Sequence, residues 1–408
     1  MLKKLTKGSF YRQLTSISFK SLSILITFLL AKIYISQVDA ASYGRYILFH
    51  GYLLTIGTLL GMGQGMLALK SLSGESVIDL GEVVKYGGNV CLNLLIFSLV
   101  ILPIRYFYQS SEWLTDSSVL SVYLYAVALF NFELMRVWFN GNVYIFFKDI
   151  ARSLAVIAVI FQYSELSADT VVLVSSVVMF AGSSLFIFFA VWNKSKTWSR
   201  FTLSDFLKVT ASGWSVSIGS GMQVFKGWLE IFVAGFLLPD AQVALYSILH
   251  KLGKLVNLPL VALNADIAKG IALMSKTGAM PENLIKQVKF AKWFAALFAV
   301  FAFILSPFYI IFYSFEANWI NLLCCSILLV SNFSNVLYGP VGLFAQLSSM
   351  RSYFVMVSGI SICITAVAAF LSVGAYGLIV LSFISLLSGL FWNEMLRRRM
   401  KDVFGATF

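Results

Sequence analysis

The chain has 408 residues, of which 59% are hydrophobic and only 12% charged, with a mean hydropathy of +0.86. A water-soluble surface needs about 25% charged residues, so this composition excludes a soluble globular enzyme and makes lipid the solvent. The net charge of +12 would in a soluble protein suggest nucleic acid; here it reads as a topology signal, and no nucleic-acid partner is expected.

Apolar runs of about 20 residues, the length that crosses a roughly 30 Å hydrocarbon core, recur along the whole sequence. They predict an all-α polytopic membrane protein with twelve spans, in chain order roughly 10–36, 43–68, 86–107, 118–140, 146–163, 170–192, 209–236, 241–265, 290–313, 318–346, 353–372 and 375–395. The fifth is short. The tenth is long and contains "LYGPVG", where Gly339 and Pro340 are expected to break or kink it. "QVDA" (37–40) resembles a signal-peptidase site, but Lys20 and Lys32 interrupt the run before it, so the segment is kept as a span. Cys91, Cys324, Cys325 and Cys363 fall within spans, show no paired framework and read as small core residues.

Most of the 30 lysines and arginines fall on the side that holds both termini if the N-terminus is inside. Lys3, Lys4 and Lys7 begin that set, and Arg397, Arg398, Arg399 and Lys401 end it. The positive-inside rule then puts both termini in the cytoplasm. The polar, basic stretch "NKSKTWSRFTLSDFLK" (193–208) divides the spans six and six. The expected organisation is an N-terminal six-helix bundle over 1–195, a linker at 196–208 and a C-terminal bundle over 209–408, the two bundles enclosing a central cavity. "DAASYGRYILFH" (39–50) and "DAQVALYSILHK" (240–251) follow the first and seventh spans. Both read Asp-Ala, a short turn, Tyr, Ile-Leu and His, as parallel repeats would.

Ionisable residues inside a membrane are costly unless they face a cavity or a partner, so they are the candidate functional groups. Lys20 lies about ten residues into the first span, roughly 15 Å deep, with Ser16, Ser23 and Thr27 flanking its face. It lines a cavity or is buried against a carboxylate. In span four, Glu133 and Arg136 are spaced to pair. Lys148, Asp149 and Arg152 open span five and read as interfacial anchors. Span seven carries Lys226 and Glu230, one turn apart, readable as a fixed bridge or a releasable one. Span eight carries His250, Lys251 and Lys254, with Asn257, Asn264 and a kinking Pro259 beyond, and ends at Asp266. Basic residues outnumber acids within the spans, and a cationic interior in low dielectric suits an anionic, phosphate-bearing substrate. Gly57, Gly61 and Gly65 form a stripe expected to serve close helix packing. Trp113, Trp138, Trp192, Trp198, Trp319 and Trp392 are expected in interfacial aromatic belts. No phosphate-cradling loop, zinc motif or metal-spaced Cys/His set occurs, so neither metal nor cofactor is expected and an enzyme is not.

The twelve-span plan, the serine-bearing first span with its lysine, and "SQVDAASYGRYILF" (36–49), with Asp39, Tyr43, Gly44 and Tyr46, resemble polysaccharide flippases of the Wzx type. "LEIFVAGFLLPDAQVALYSILHKLGKLV" (229–256) is similar to the seventh-to-eighth helix region of the same family, within the multidrug/oligosaccharidyl-lipid/polysaccharide exporter superfamily. The resemblance implies translocation of an undecaprenyl-diphosphate-linked oligosaccharide, such as an O-antigen unit, between leaflets of a bacterial inner membrane. Alternating access coupled to an ion gradient would drive it. The resemblance further implies a basic cavity made by Lys20, Arg45, Lys226, Lys251 and Lys254, with Glu230, His250 or Asp266 coupling the ion. Membrane lipid, a polysaccharide polymerase and a chain-length regulator are the partners it suggests. The alternative within the superfamily is a multidrug or cation exporter, which should carry membrane carboxylates without so many lysines. A membrane-embedded polymerase fits less well, because the outer loops are short.

Overall fold

In a computed structural model the described residues are 2–72, 78–107, 115–138, 145–163, 167–193, 196–261, 282–348 and 350–404. Asp266 and most of the connection 266–289 lie outside them, as do the side chains of Arg136 and Trp138. The described chain is helical throughout, apart from one two-residue strand pair. Among the described residues, eight helical stretches, from Ser18–Gln37 to Arg351–Val403, are by themselves long and apolar enough to cross a membrane.

The helices are α1 (Leu2–Gln37), α2 (Ala40–Gly57), α3 (Gly63–Leu72), α4 (Leu80–Phe107), α5 (Asp116–Trp138), α6 (Arg152–Gln162), α7 (Ala168–Asn193), α8 (Leu203–Leu237), α9 (Asp240–Lys254), α10 (Glu282–Phe312), α11 (Trp319–Tyr338), α12 (Val341–Leu347) and α13 (Arg351–Phe404). A π-helical turn, Thr58–Met62, joins α2 to α3, and another, Phe146–Ala151, leads into α6. Gly339 (φ 75°, ψ −162°) breaks the expected tenth span into α11 and α12. Spans eleven and twelve, both within α13, are two helices that meet at a break at Gly377 (φ 63°, ψ −146°), a few residues beyond the expected boundary at 373–374. Glycine is needed at both places because an L side chain is strained at positive φ.

By contacts the chain forms two compact units, one of Tyr46–Phe225 and one of Met1–Arg45 with Lys226–Phe408. In the first, the glycine stripe packs against α5. A Cβ on Gly61 would come within 2.1 Å of the Ala126 carbonyl oxygen, and one on Gly65 within 2.7 Å of the Glu133 Cβ. Lipid gives helices no hydrophobic drive to associate, so backbone proximity and hydrogen bonds must hold them. Accordingly Asn93 donates to the Leu60 carbonyl in the π turn (3.0 Å), and Asn131 donates to Ser183 and Ser184 (3.3 and 3.1 Å). The strand pair β1 (Ile78–Asp79) and β2 (Lys196–Thr197) is parallel. Asp79 latches it, accepting from the Ser199 amide and hydroxyl (3.1 and 3.0 Å) and from the Gly81 and Glu82 amides. Burial pushes this carboxyl up, but those hydrogen bonds outweigh it and hold the group below its ordinary range. The expected linker is thus tied, at Ser199, to the turn preceding α4.

In the second unit α1 packs on α10: Tyr313 donates to the Phe28 carbonyl (2.9 Å), and Phe28 meets Tyr309 edge-on at 5.2 Å. Asn318 caps α11 by accepting from the Asn321 amide at 2.9 Å. Pro259 has no amide hydrogen to offer Leu255, so α9 tightens into a 3-10 turn, Leu255–Asn257, in which the Leu258 amide takes the Leu255 carbonyl. Asn257 then donates to Asn332 of α11 at 2.5 Å.

Candidate functional site

The site lies in the second unit, where α8 turns into α9. Leu238 and Pro239 separate the two helices, and the Pro239 carbonyl accepts from the Gln242 and Val243 amides to start α9. Val243–His250, Leu252 and Gly253 are buried, so α9 is enclosed on nearly all sides and Lys251 is only partly so. Tyr246 and His250, one turn apart, stack with ring centroids 6.0 Å apart and an interplanar angle of 18°. The Tyr246 hydroxyl reaches back to α8 and donates to Glu230 Oε2 at 2.8 Å.

Lys226 and Glu230 do not form the expected ion pair. The Lys226 ammonium sits 4.3 Å from the centroid of the Trp392 ring. Lys254 lies over Trp228 at 5.8 Å. Both ammoniums are close enough to Glu230 to interact with it electrostatically, and Lys254 is near His250 as well. A cation over an indole face is favoured by about 0.5–2 kcal/mol, a contact that leaves its N–H donors available. Trp392 is held in turn by a hydrogen bond to Ser358 (3.0 Å) and an edge contact with Phe354. Gly342 makes room for it, since a Cβ there would lie 2.5 Å from the ring. The arrangement presents two cations on aromatic supports, with one acid already engaged by a tyrosine.

The other expected residues sit elsewhere. Lys251 donates to the Tyr43 hydroxyl and lies 5.1 Å from that ring's centroid. Arg45, in the second turn of α2, pairs with Asp240 at 2.8 Å and has a largely exposed side chain. Lys20 is partly buried in α1. Asp266 lies outside the described residues. Two expectations need correcting. Trp392, read as an interfacial belt residue, supports Lys226 instead, while Trp192, Trp198 and Trp319 are exposed. Arg152, read as an anchor, reaches buried His50 in the first unit, with Nη1 2.6 Å from Nε2. Sequence reasoning passed over Trp228 and misplaced Trp392 because nothing in local spacing ties an indole to a lysine 26 or 166 positions away. The Tyr246–His250 pair was visible as an i, i+4 spacing repeated at Tyr46 and His50.

No known protein family matches the sequence, and no curated protein does. Solved structures do match. A variant of the Vibrio cholerae MATE transporter VcmN is 14% identical with a TM-score of 0.66, covering 98% of each chain. A MOP superfamily transporter from Pyrococcus furiosus is 13% identical with a TM-score of 0.68, over 97% of this chain and 95% of that one. An inward-facing multidrug-resistance MATE transporter is 13% identical with a TM-score of 0.61, over 96% and 99%. This chain has the MATE transporter fold. That fold has twelve membrane helices in two bundles, so all twelve expected spans have a place in it. The matched MATE proteins are transporters.

Proposed function

We propose that the protein is a flippase for undecaprenyl-diphosphate-linked oligosaccharides, moving repeat units of an O-antigen or similar polysaccharide across a bacterial inner membrane. The observation that carries this reading is the pairing of Lys226 and Lys254 with Trp392 and Trp228 around a single carboxylate that Tyr246 already occupies. A diphosphate has charge to satisfy both ammoniums, and lysine is a strong, mobile point charge for it. Indole rings and asparagine amides are suited to sugars. In this reading the two halves meet at the linker 196–208, both termini are cytoplasmic, and access alternates by rocking of the halves. Glu230 and His250 are the coupling candidates among the described residues. Lys20, Arg45 and Lys251 complete the cationic set, and Asp266 is a further coupling candidate.

The Pyrococcus transporter is reported with a binding pocket of reversed polarity suggesting a different function, so this fold is compatible with more than one substrate charge. The second reading, a multidrug exporter, is favoured by Glu230, a membrane carboxylate that a cationic drug would seek. Deleting the gene separates them. A flippase is expected to leave lipid-linked repeat units accumulating inside while surface polysaccharide is lost. Plasmid-borne wild type should restore export and the Lys226→Ala, Lys254→Ala double variant should not, although it reaches the membrane in equal amount. Intact surface polysaccharide with altered drug resistance would overturn the flippase reading.

A further inference from the structure

A second cationic surface lies in the same unit, well away in sequence from the α8–α9 turn. Val288 and Ala291 near the start of α10, Met350 before α13, and Leu396 and Met400 near the end of α13 share one buried core. Packing these three segments together also gathers their charges. Lys289 and Lys292 flank the buried positions of α10, Arg351 opens α13, and Arg398, Arg399 and Lys401 close it. Only Glu394 and Asp402 oppose them on the closing segment, and Glu394 is taken by Arg397 (3.0 Å) and Arg398 (2.8 Å). Arg399 is steadied over the Tyr353 ring at 5.7 Å. The surface is therefore strongly positive and rests on a packed base.

Aromatic residues lie between its cations. On α10, Phe290, Trp293 and Phe294 are 53%, 78% and 41% exposed, between and just beyond Lys289 and Lys292. The Phe290 and Phe294 rings lie 4.6 Å apart. A free anion in water would need the lysines and arginines but would gain nothing from three exposed rings. A phospholipid uses both: its phosphate meets the cations while its glycerol and upper acyl chains cover the rings at the headgroup level. We propose that this end of the unit is a binding surface for anionic phospholipids, recognised through the phosphodiester and the aromatic face beneath it. The inference is independent of the flippase reading, since it concerns a different group of residues and needs only that the chain lie in a bilayer.

The full chain, reconstituted in nanodiscs of phosphatidylcholine with or without phosphatidylglycerol, provides the test. Native mass spectrometry should find phosphatidylglycerol retained about fivefold over phosphatidylcholine, and the melting temperature should rise with it. Replacing Lys289, Lys292, Arg398 and Arg399 together by Gln should abolish the enrichment and the rise, while loss of the Arg398–Glu394 pair and the Arg399–Tyr353 contact lowers the melting temperature equally in both lipid compositions. The milder Lys289→Gln, Lys292→Gln pair should do so in part, and serves if the fourfold variant does not fold. Equal retention of both lipids by the wild type, or enrichment that survives the substitutions, would overturn the proposal. So would a melting shift reproduced by inorganic phosphate alone, which would make the surface a free-anion site.

Discussion

Two tyrosine–histidine stacks occupy matching places in the sequence repeat, and they end on opposite charges. In α2, Tyr46 and His50 stack at 6.0 Å and 12°, and Arg152 approaches the His50 ring. In α9, Tyr246 and His250 stack at 6.0 Å and 18°, and Tyr246 donates to Glu230. A guanidinium can only donate, so His50 Nε2 accepts from it and its ring proton sits on Nδ1. The repeated helix turn supplies the same aromatic ladder twice, while a residue from another helix decides what charge it serves. Internal likeness here concerns scaffold, and chemistry is assigned by the partner.

That contrast can be broken most sharply at Arg152. Arg152→Met removes a charged donor from a buried histidine and should cost about 2–3 kcal/mol in thermal or denaturant unfolding; a variant as stable as wild type would show that the arginine does not hold the first ladder. Next in size is Gly44→Ala. A Cβ on Gly44 would lie 2.1 Å from the Asp240 carbonyl oxygen, so the start of α2 must move off α9, at about 1–3 kcal/mol. The accompanying loosening of the Arg45–Asp240 pair should appear as faster amide exchange at the start of both helices. Tyr246→Phe keeps the ring stack but removes the hydroxyl, and should cost about 1 kcal/mol. Its larger effect should be on transport measured in proteoliposomes, because Glu230 then loses its tyrosine donor; unchanged transport would remove the second ladder from the mechanism.

The smallest effect concerns pH. Asp79 is held below its ordinary range, so it contributes stability that is complete above the ordinary carboxylate value and is lost as pH falls through the folded one. A modest drop in melting temperature below about pH 4 is expected, and Asp79→Asn should remove that part of the drop.

Much of the fold was legible because lipid imposes a simple rule: a helix must be apolar for its full crossing, and loops must not be. The break at Gly339 and the packing role of Gly57, Gly61 and Gly65 followed from backbone physics alone. The candidate site was legible only on α8 and α9. Lys226, Glu230 and Lys254 announced themselves by being charged in an apolar run, but an intrahelical spacing of four suggested that Lys226 and Glu230 pair with each other. Trp392 and Tyr246 outcompete that pairing from other helices, and tertiary partners leave no trace in local sequence. For the same reason Arg152 looked like an anchor, because its histidine lies 102 positions earlier.

The π turn at Thr58–Met62 is, in register, one residue inserted into an otherwise regular helix. An α-helix turns about 100° per residue, so removing one residue there would rotate everything after it by that angle. Gly65 would leave α5, and a side chain would arrive where the backbones almost touch. The Leu60 carbonyl, now served by Asn93, would return to the ordinary ladder and leave that amide without its acceptor. A single-codon deletion, harmless in most surface loops, would at this point misalign a whole face of the first unit.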